Sequence, residues 1–141
     1  MLNIEVDYMA VIVAAVASMA VGFLWYSPLV LGKPWMKLKG YTPASLKKAQ
    51  QEMGKLYGIS FVAALVTAFV LLHVITLSQD FYGLSKIQTG LTTAFWIWLG
   101  FIMPVQLADE IFGGHKWGLL AINTGYQLTS ILVMAVAIAY I

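Results

Sequence analysis

Four long stretches of this chain run without a single Asp, Glu, Lys or Arg: Tyr8–Gly32, Leu56–Gln79, Ile87–Ala108 and Trp117–Ile141. A helix rising about 1.5 Å per residue needs roughly 20 residues to cross about 30 Å of hydrocarbon, and each stretch is long enough. The pattern predicts an all-α integral membrane protein, a single domain over residues 1–141. Its four transmembrane helices are expected at about 8–30, 56–78, 87–107 and 117–140. A soluble helical bundle would need polar faces that these stretches lack.

The longest connection has a pattern of its own. Thr42-Pro43 is a helix start, an N-cap hydroxyl followed by proline at the first helical position. Leu46, Ala49, Met53, Leu56 and Tyr57 then recur at helical spacing, with Lys47, Lys48, Gln51 and Lys55 mostly on the other side. This predicts a short amphipathic cytoplasmic helix at about 43–54, lying on the inner leaflet with Lys47, Lys48 and Lys55 near anionic lipid headgroups. A solvated basic linker that only sets topology is the competing reading. Gly54 and Gly58 are the expected bend into the membrane.

Composition agrees with the spans. Hydrophobic residues make up 61% of the chain and charged residues 10%, where a soluble domain carries roughly 25% charged. Mean hydropathy is +0.85. All eight basic residues are lysines, and six of them (Lys33, Lys37, Lys39, Lys47, Lys48 and Lys55) fall between the first two spans. Lys116 lies between the last two, and the N-terminal tail has Glu5 and Asp7 without any lysine. The positive-inside rule then makes the first and third connections cytoplasmic and puts both termini outside the cell membrane, with the first helix a retained anchor. With no cysteine, disulfides, thiolate metal sites and cysteine nucleophiles are excluded.

Helices in a bilayer pack through small residues and polar bridges. Ala10, Ala14, Ser18 and Gly22 form a ladder at four-residue spacing that admits another backbone, from the same chain or from a second copy. A homo-oligomer is expected on this ground. A faint repeat also links the first and third spans: Gly-Phe, then proline, then Gly-x-x-Trp, at Gly22 to Trp35 and again at Gly100 to Trp117. Interfacial tryptophans and helix-ending prolines explain the same residues without a duplication.

These residues also carry a family resemblance. Trp25-Tyr26-Ser27-Pro28 with Gly32-x-x-Trp35, Phe112-Gly113-Gly114-x-x-Trp117, and Ile122-Asn123-x-Gly125-Tyr126-Gln127-Leu128 together resemble the small four-helix membrane family catalogued as domain of unknown function 1761 (DUF1761). The likeness covers nearly the whole chain. It implies an integral membrane protein of this layout and brings no activity, cofactor or catalytic residue. The lysine-rich segment around Lys47 and Lys48 is lengthened relative to the family.

The most informative chemistry is in the fourth span. Asn123 and Gln127 are four residues apart and share a helix face that Ser130 continues, with Tyr126 and Thr124 nearby. Counted from Trp117 they lie about 9 and 15 Å into the helix. At that depth an amide faces a neighbouring helix or water, so these residues either lock helices or line a site. Thr89, Thr92, Thr93 and Gln106 in the third span are milder members of the set.

Charged candidates are few. Adjacent Asp109 and Glu110 do not face each other on a helix, and with His115 they read as solvated interfacial charges, an acid–base or metal group being the alternative. His73 is expected to bond a carbonyl. There is no glycine-rich phosphate loop, no HExxH and no serine elbow, so no cofactor or metal is expected, and an embedded enzyme is a distant third among the function classes. The lysines suit the leaflet better than nucleic acid. Two functions follow: a site or pathway for a small solute or ion lined by the polar groups, or an accessory scaffold whose polar stripe only locks helix packing.

Overall fold

A computed structural model describes residues 4–141, and among these residues every regular element is helical. The chain forms α1 (Tyr8–Trp25), α2 (Gly32–Lys39), α3 (Pro43–Gln51), α4 (Met53–Tyr82), α5 (Lys86–Ile97), a π-helical turn (Trp98–Ile102), α6 (Met103–Phe112) and α7 (Trp117–Tyr140). Taking α5, the π turn and α6 as one continuous rod, four helices are long and apolar enough to cross a membrane.

Local chemistry explains each boundary. Asp7 caps α1, its Oδ1 accepting from the amides of Met9 and Ala10 at 3.0 and 3.2 Å. The first helix stops at Trp25, five residues before its expected end near 30. Ser27 bonds back to the Leu24 carbonyl at 2.7 Å, and Pro28 has no N–H to continue the ladder. The chain then turns into α2, a short helix the hydropathy pattern did not predict. Gly32 starts it, where a Cβ would come within 2.7 Å of the Ser27 backbone. Gly40, at φ 74°, ends it in the left-handed conformation that glycine adopts without strain.

The Thr42-Pro43 start holds: Thr42 and Ser45 cap each other reciprocally, with Pro43 in the first turn. The amphipathic helix expected over 43–54 ends at Gln51, however, and the break falls at Glu52. Gly54 and Gly58 sit inside α4, so neither marks the bend. The amide of Glu52 closes α3 by bonding the Ala49 carbonyl at 3.2 Å, and its own carbonyl opens α4. α4 runs longer than 56–78 at both ends, to a left-handed Gly83 at φ 66°. Ser85 and Gln88 then form a second reciprocal cap.

The third span extends past the expected 107 to Phe112 and is not a regular α-helix throughout. At the π turn the Met103 amide reaches back to the Trp98 carbonyl. Pro104 follows immediately; it lacks an N–H, and its ring would press on the Gly100 carbonyl in a regular ladder. One extra residue in the turn relieves that conflict.

α7 is central. It packs against α1 on one side and α5 on the other, while α4 bridges α1 and α5. Small side chains meet where the helices approach: Ala10, Ala14, Ala68, Ala94 and Ala135, filled around by Leu71, Ile75, Ile131, Met134 and Ile138. The ladder of Ala10, Ala14 and Ser18 is thus consumed within the chain. Large apolar groups cover the outside instead, among them Ile12, Val16, Phe23, Val62, Val66, Phe101 and Val105. Such a surface suits lipid tails rather than water. All the buried residues of α4 lie in its second half, and Met53–Ser60 is exposed throughout. The first half of α4 therefore stands away from α1 and α7, leaving a cleft.

Candidate functional site

Two structures occupy the Trp25 end of the α1–α7 pair. One is an aromatic and amide corner that fixes α1 to α7; the other is the cleft beneath it.

The corner is built from the end of α1 and the second turn of α7. The Trp25 indole donates to the Ile122 carbonyl at 3.0 Å, and the Tyr26 hydroxyl donates to Asn123 Oδ1 at 2.7 Å. Glycine makes room on both sides. Trp25 lies over Gly125, where a Cβ would stand 3.2 Å from its ring, and the Tyr126 hydroxyl lies 3.0 Å from a Cβ placed at Gly22. The Tyr26 ring meets Tyr126 and Trp35 edge-on at 5.2 and 5.1 Å, and Trp35 continues onto Tyr41 at 5.4 Å. Trp25, Tyr26, Ser27, Pro28, Gly32, Trp35 and Gly125 therefore form one joint that turns α1 into α2 and seats both on α7. Lys116 reinforces it, its ammonium donating to the Leu38 carbonyl at the end of α2. Trp117 is the exposed first residue of α7.

The cleft lies between α1, α4 and α7, with Ile102 of the π turn at its wall, and encloses about 290 Å³. Gln127, Tyr126 and Ser130 enter it from α7, Ser18 from α1, and Ser60 and Thr67 from α4. Ala63, Ala64, Met19, Ile131 and Met134 supply the apolar remainder. Ser18 and Thr67 donate to carbonyls of their own helices, at 3.0 and 3.1 Å, and keep lone pairs for a guest. Gln127 lines the cleft, and its side-chain amide makes no hydrogen bond among the described residues. Among the described residues no charged side chain lines the space.

The expected pair of amides is thus divided. Asn123 is spent on Tyr26, while Gln127, Tyr126 and Ser130 converge on the cleft. The third-span residues do not join them. Thr92 is exposed and bonds the Gln88 carbonyl at 2.8 Å, on the far side of the bundle. Gln106, on α6, keeps its Oε1 buried without a partner among the described residues. Asp109 is exposed, and Glu110 accepts from the Lys116 amide at 3.0 Å, closing the α6–α7 turn. His115 stands exposed in that turn at φ 54°. Among the described residues no three His, Asp or Glu side chains gather as a metal site would require. His73 bonds the Phe69 carbonyl at 2.7 Å.

Sequence reasoning missed Ser60 and Thr67, because hydroxyls in an apolar helix ordinarily bond back to it. It also missed the Trp98 indole, which donates to the carbonyl and hydroxyl of Thr124 at 2.9 and 3.1 Å and ties the π turn to α7. Tryptophan in a span reads as an interfacial anchor, and no sequence signal separates that role from this one.

A family model described as a protein of unknown function (DUF1761) matches residues 9–139. Comparison with curated proteins and with solved structures gives no match.

Proposed function

The chain belongs to the DUF1761 family, and from that premise we propose that it is a multi-pass protein of the cell membrane that takes a small, uncharged polar solute into the cleft between α1, α4 and α7. The observation that carries this reading is Gln127, about 15 Å into a membrane-length helix, unpartnered among the described residues and facing a 290 Å³ space with five hydroxyl residues. A bare amide in hydrocarbon costs roughly 2–7 kcal/mol, so a fold that leaves one free is expected to offer it to water or a guest. The uncharged lining favours a neutral solute over an ion, which would lose its hydration without a counter-charge.

The lysine distribution supports an orientation with both termini outside and the Lys33–Lys55 segment in the cytoplasm, where Lys47, Lys48 and Lys55 meet anionic lipid. Assembly into a homo-oligomer belongs to the same proposal. With the Ala10/Ala14/Ser18 stripe buried in the chain, a second copy has to use another face, and mass measurement in gentle detergent tests for it.

A helix-locking role is favoured for Asn123, by its bond to Tyr26, and for Thr124, by the bonds it accepts from Trp98. The test of the solute reading is a swelling assay on proteoliposomes with glycerol and urea as probes. Flux above that of empty vesicles, lost in Gln127→Leu while the variant still elutes as a folded species, supports the proposal. Equal flux with and without protein refutes it.

A further inference from the structure

A second space, an open groove between α4 and α5, holds about 620 Å³. Pockets for small organic molecules span about 300–1,000 Å³, so the space is large enough for one. Its lining is graded. Ser78, Tyr82, Thr89 and Thr93 place hydroxyls toward the α4–α5 turn, and Trp96 and Phe101 make the deeper part apolar. Along α5 the groove runs from Thr89 to Phe101, about 18 Å at helical rise.

Thr89 marks the site as incomplete. It is 2% exposed, and its Oγ1 has no hydrogen-bond partner among the described residues. The threonines at 67, 76, 92 and 129 each donate to the carbonyl four residues back. Thr89 forgoes that bond, and its side chain borders the groove. The Oγ1 has almost no surface of its own, so a head group in the groove reaches it through a small turn of the side chain, and the bond then made removes the cost of a buried hydroxyl without a partner.

We propose that this groove binds an uncharged amphiphile, a lipid whose hydroxyl or carbonyl head meets Thr89 and whose apolar tail lies along Trp96 and Phe101. The polar end sits within two turns of the α4–α5 connection, the level at which lipid heads lie, and the apolar end points toward the bilayer centre. Among the described residues no charged side chain lines the groove, which selects against phospholipid heads. A second copy of the chain fits less well, since an apolar helix would leave the hydroxyls at one end unmatched.

Trp96 supplies the readout. The protein is reconstituted in phosphatidylcholine nanodiscs and titrated with a monoacylglycerol brominated on its chain, which quenches nearby tryptophan. Quenching is expected to show a component that saturates at low mole fraction and is lost in Trp96→Phe, the other four tryptophans leaving only quenching in proportion to abundance. Thr89→Val should weaken the apparent affinity about tenfold, the effect of losing one buried hydrogen bond, and Thr89→Ser should restore it. Brominated phosphatidylcholine should quench only in proportion to its abundance. Equal concentration dependence for the two lipids, or an unchanged affinity in Thr89→Val, overturns the proposal. If Thr89→Val does not fold, Ser78→Ala with Thr93→Val is read in the same way: loss of affinity supports the site and retention refutes it.

Discussion

The Tyr26 hydroxyl donates to Asn123 Oδ1 at 2.7 Å, joining residues 97 apart in the chain. The bond crosses from the turn after α1 to the second turn of α7 and leaves the Asn123 amide with no role in the cleft. Asn123→Leu and Tyr26→Phe should therefore each lower thermal stability, and the double variant should lose less than the sum. A coupling of about 1 kcal/mol is expected, in the usual range for hydrogen bonds within a membrane. Thermal unfolding of the four proteins in one detergent measures it, and strictly additive losses would separate the two residues.

Glycine substitutions should divide by sign. At Gly32 a methyl group would press on backbone that cannot yield, and Gly32→Ala should cost about 2–3 kcal/mol. At Gly125 the obstacle is the Trp25 ring at 3.2 Å, which can shift slightly, so Gly125→Ala should cost about 1 kcal/mol. Gly54 and Gly58 have nothing within 4 Å and lie inside α4, so alanine there should stabilise the helix by up to about 1 kcal/mol. Melting temperatures of the four variants would show the split, and a loss at Gly54 or Gly58 would point to a partner on that face.

How far the sequence reached follows from the same residues. Four charge-free stretches were enough for four long helices, because in a bilayer length and apolarity decide the outcome. Thr42-Pro43 was legible because a cap is a local interaction. The stop at Trp25 was not, since Ser27 and Pro28 end a helix inside a run that stays apolar and hydropathy does not register it. The π turn depends on how the chain accommodates Pro104, which composition does not encode. For the site, four-residue spacing placed Asn123 and Gln127 on one face, yet the difference in their surroundings was set by Tyr26, which bonds Asn123 from 97 residues away. Spacing finds a face but not what packs on it.

The orientation can be tested with single cysteines, since the chain has none of its own. Cysteines placed at 48, 82 and 114 in intact cells, treated with an impermeant maleimide, should label at 82 and remain protected at 48 and 114. The warrant is six lysines between the first two spans against none in the N-terminal tail. The reverse labelling pattern would turn the protein over and place the Lys47 and Lys48 helix on the outer surface.

Filling the cleft separates its space from its chemistry. Ala64 lines the cleft from α4 and is half-buried, and the first half of that helix stands off from α1 and α7. A phenylalanine at 64 would project into the 290 Å³ space and leave Gln127, Tyr126 and Ser130 unchanged. The added ring gains apolar contacts with Ile131 and Met134, so stability should hold or rise, by up to about 1 kcal/mol. Solute flux in proteoliposomes should fall toward that of empty vesicles, as it should in Gln127→Leu. Agreement between a variant that removes the amide and one that removes the room would locate the pathway in this cleft. Full flux in a stable Ala64→Phe protein would move the pathway elsewhere and return Gln127 to a packing role.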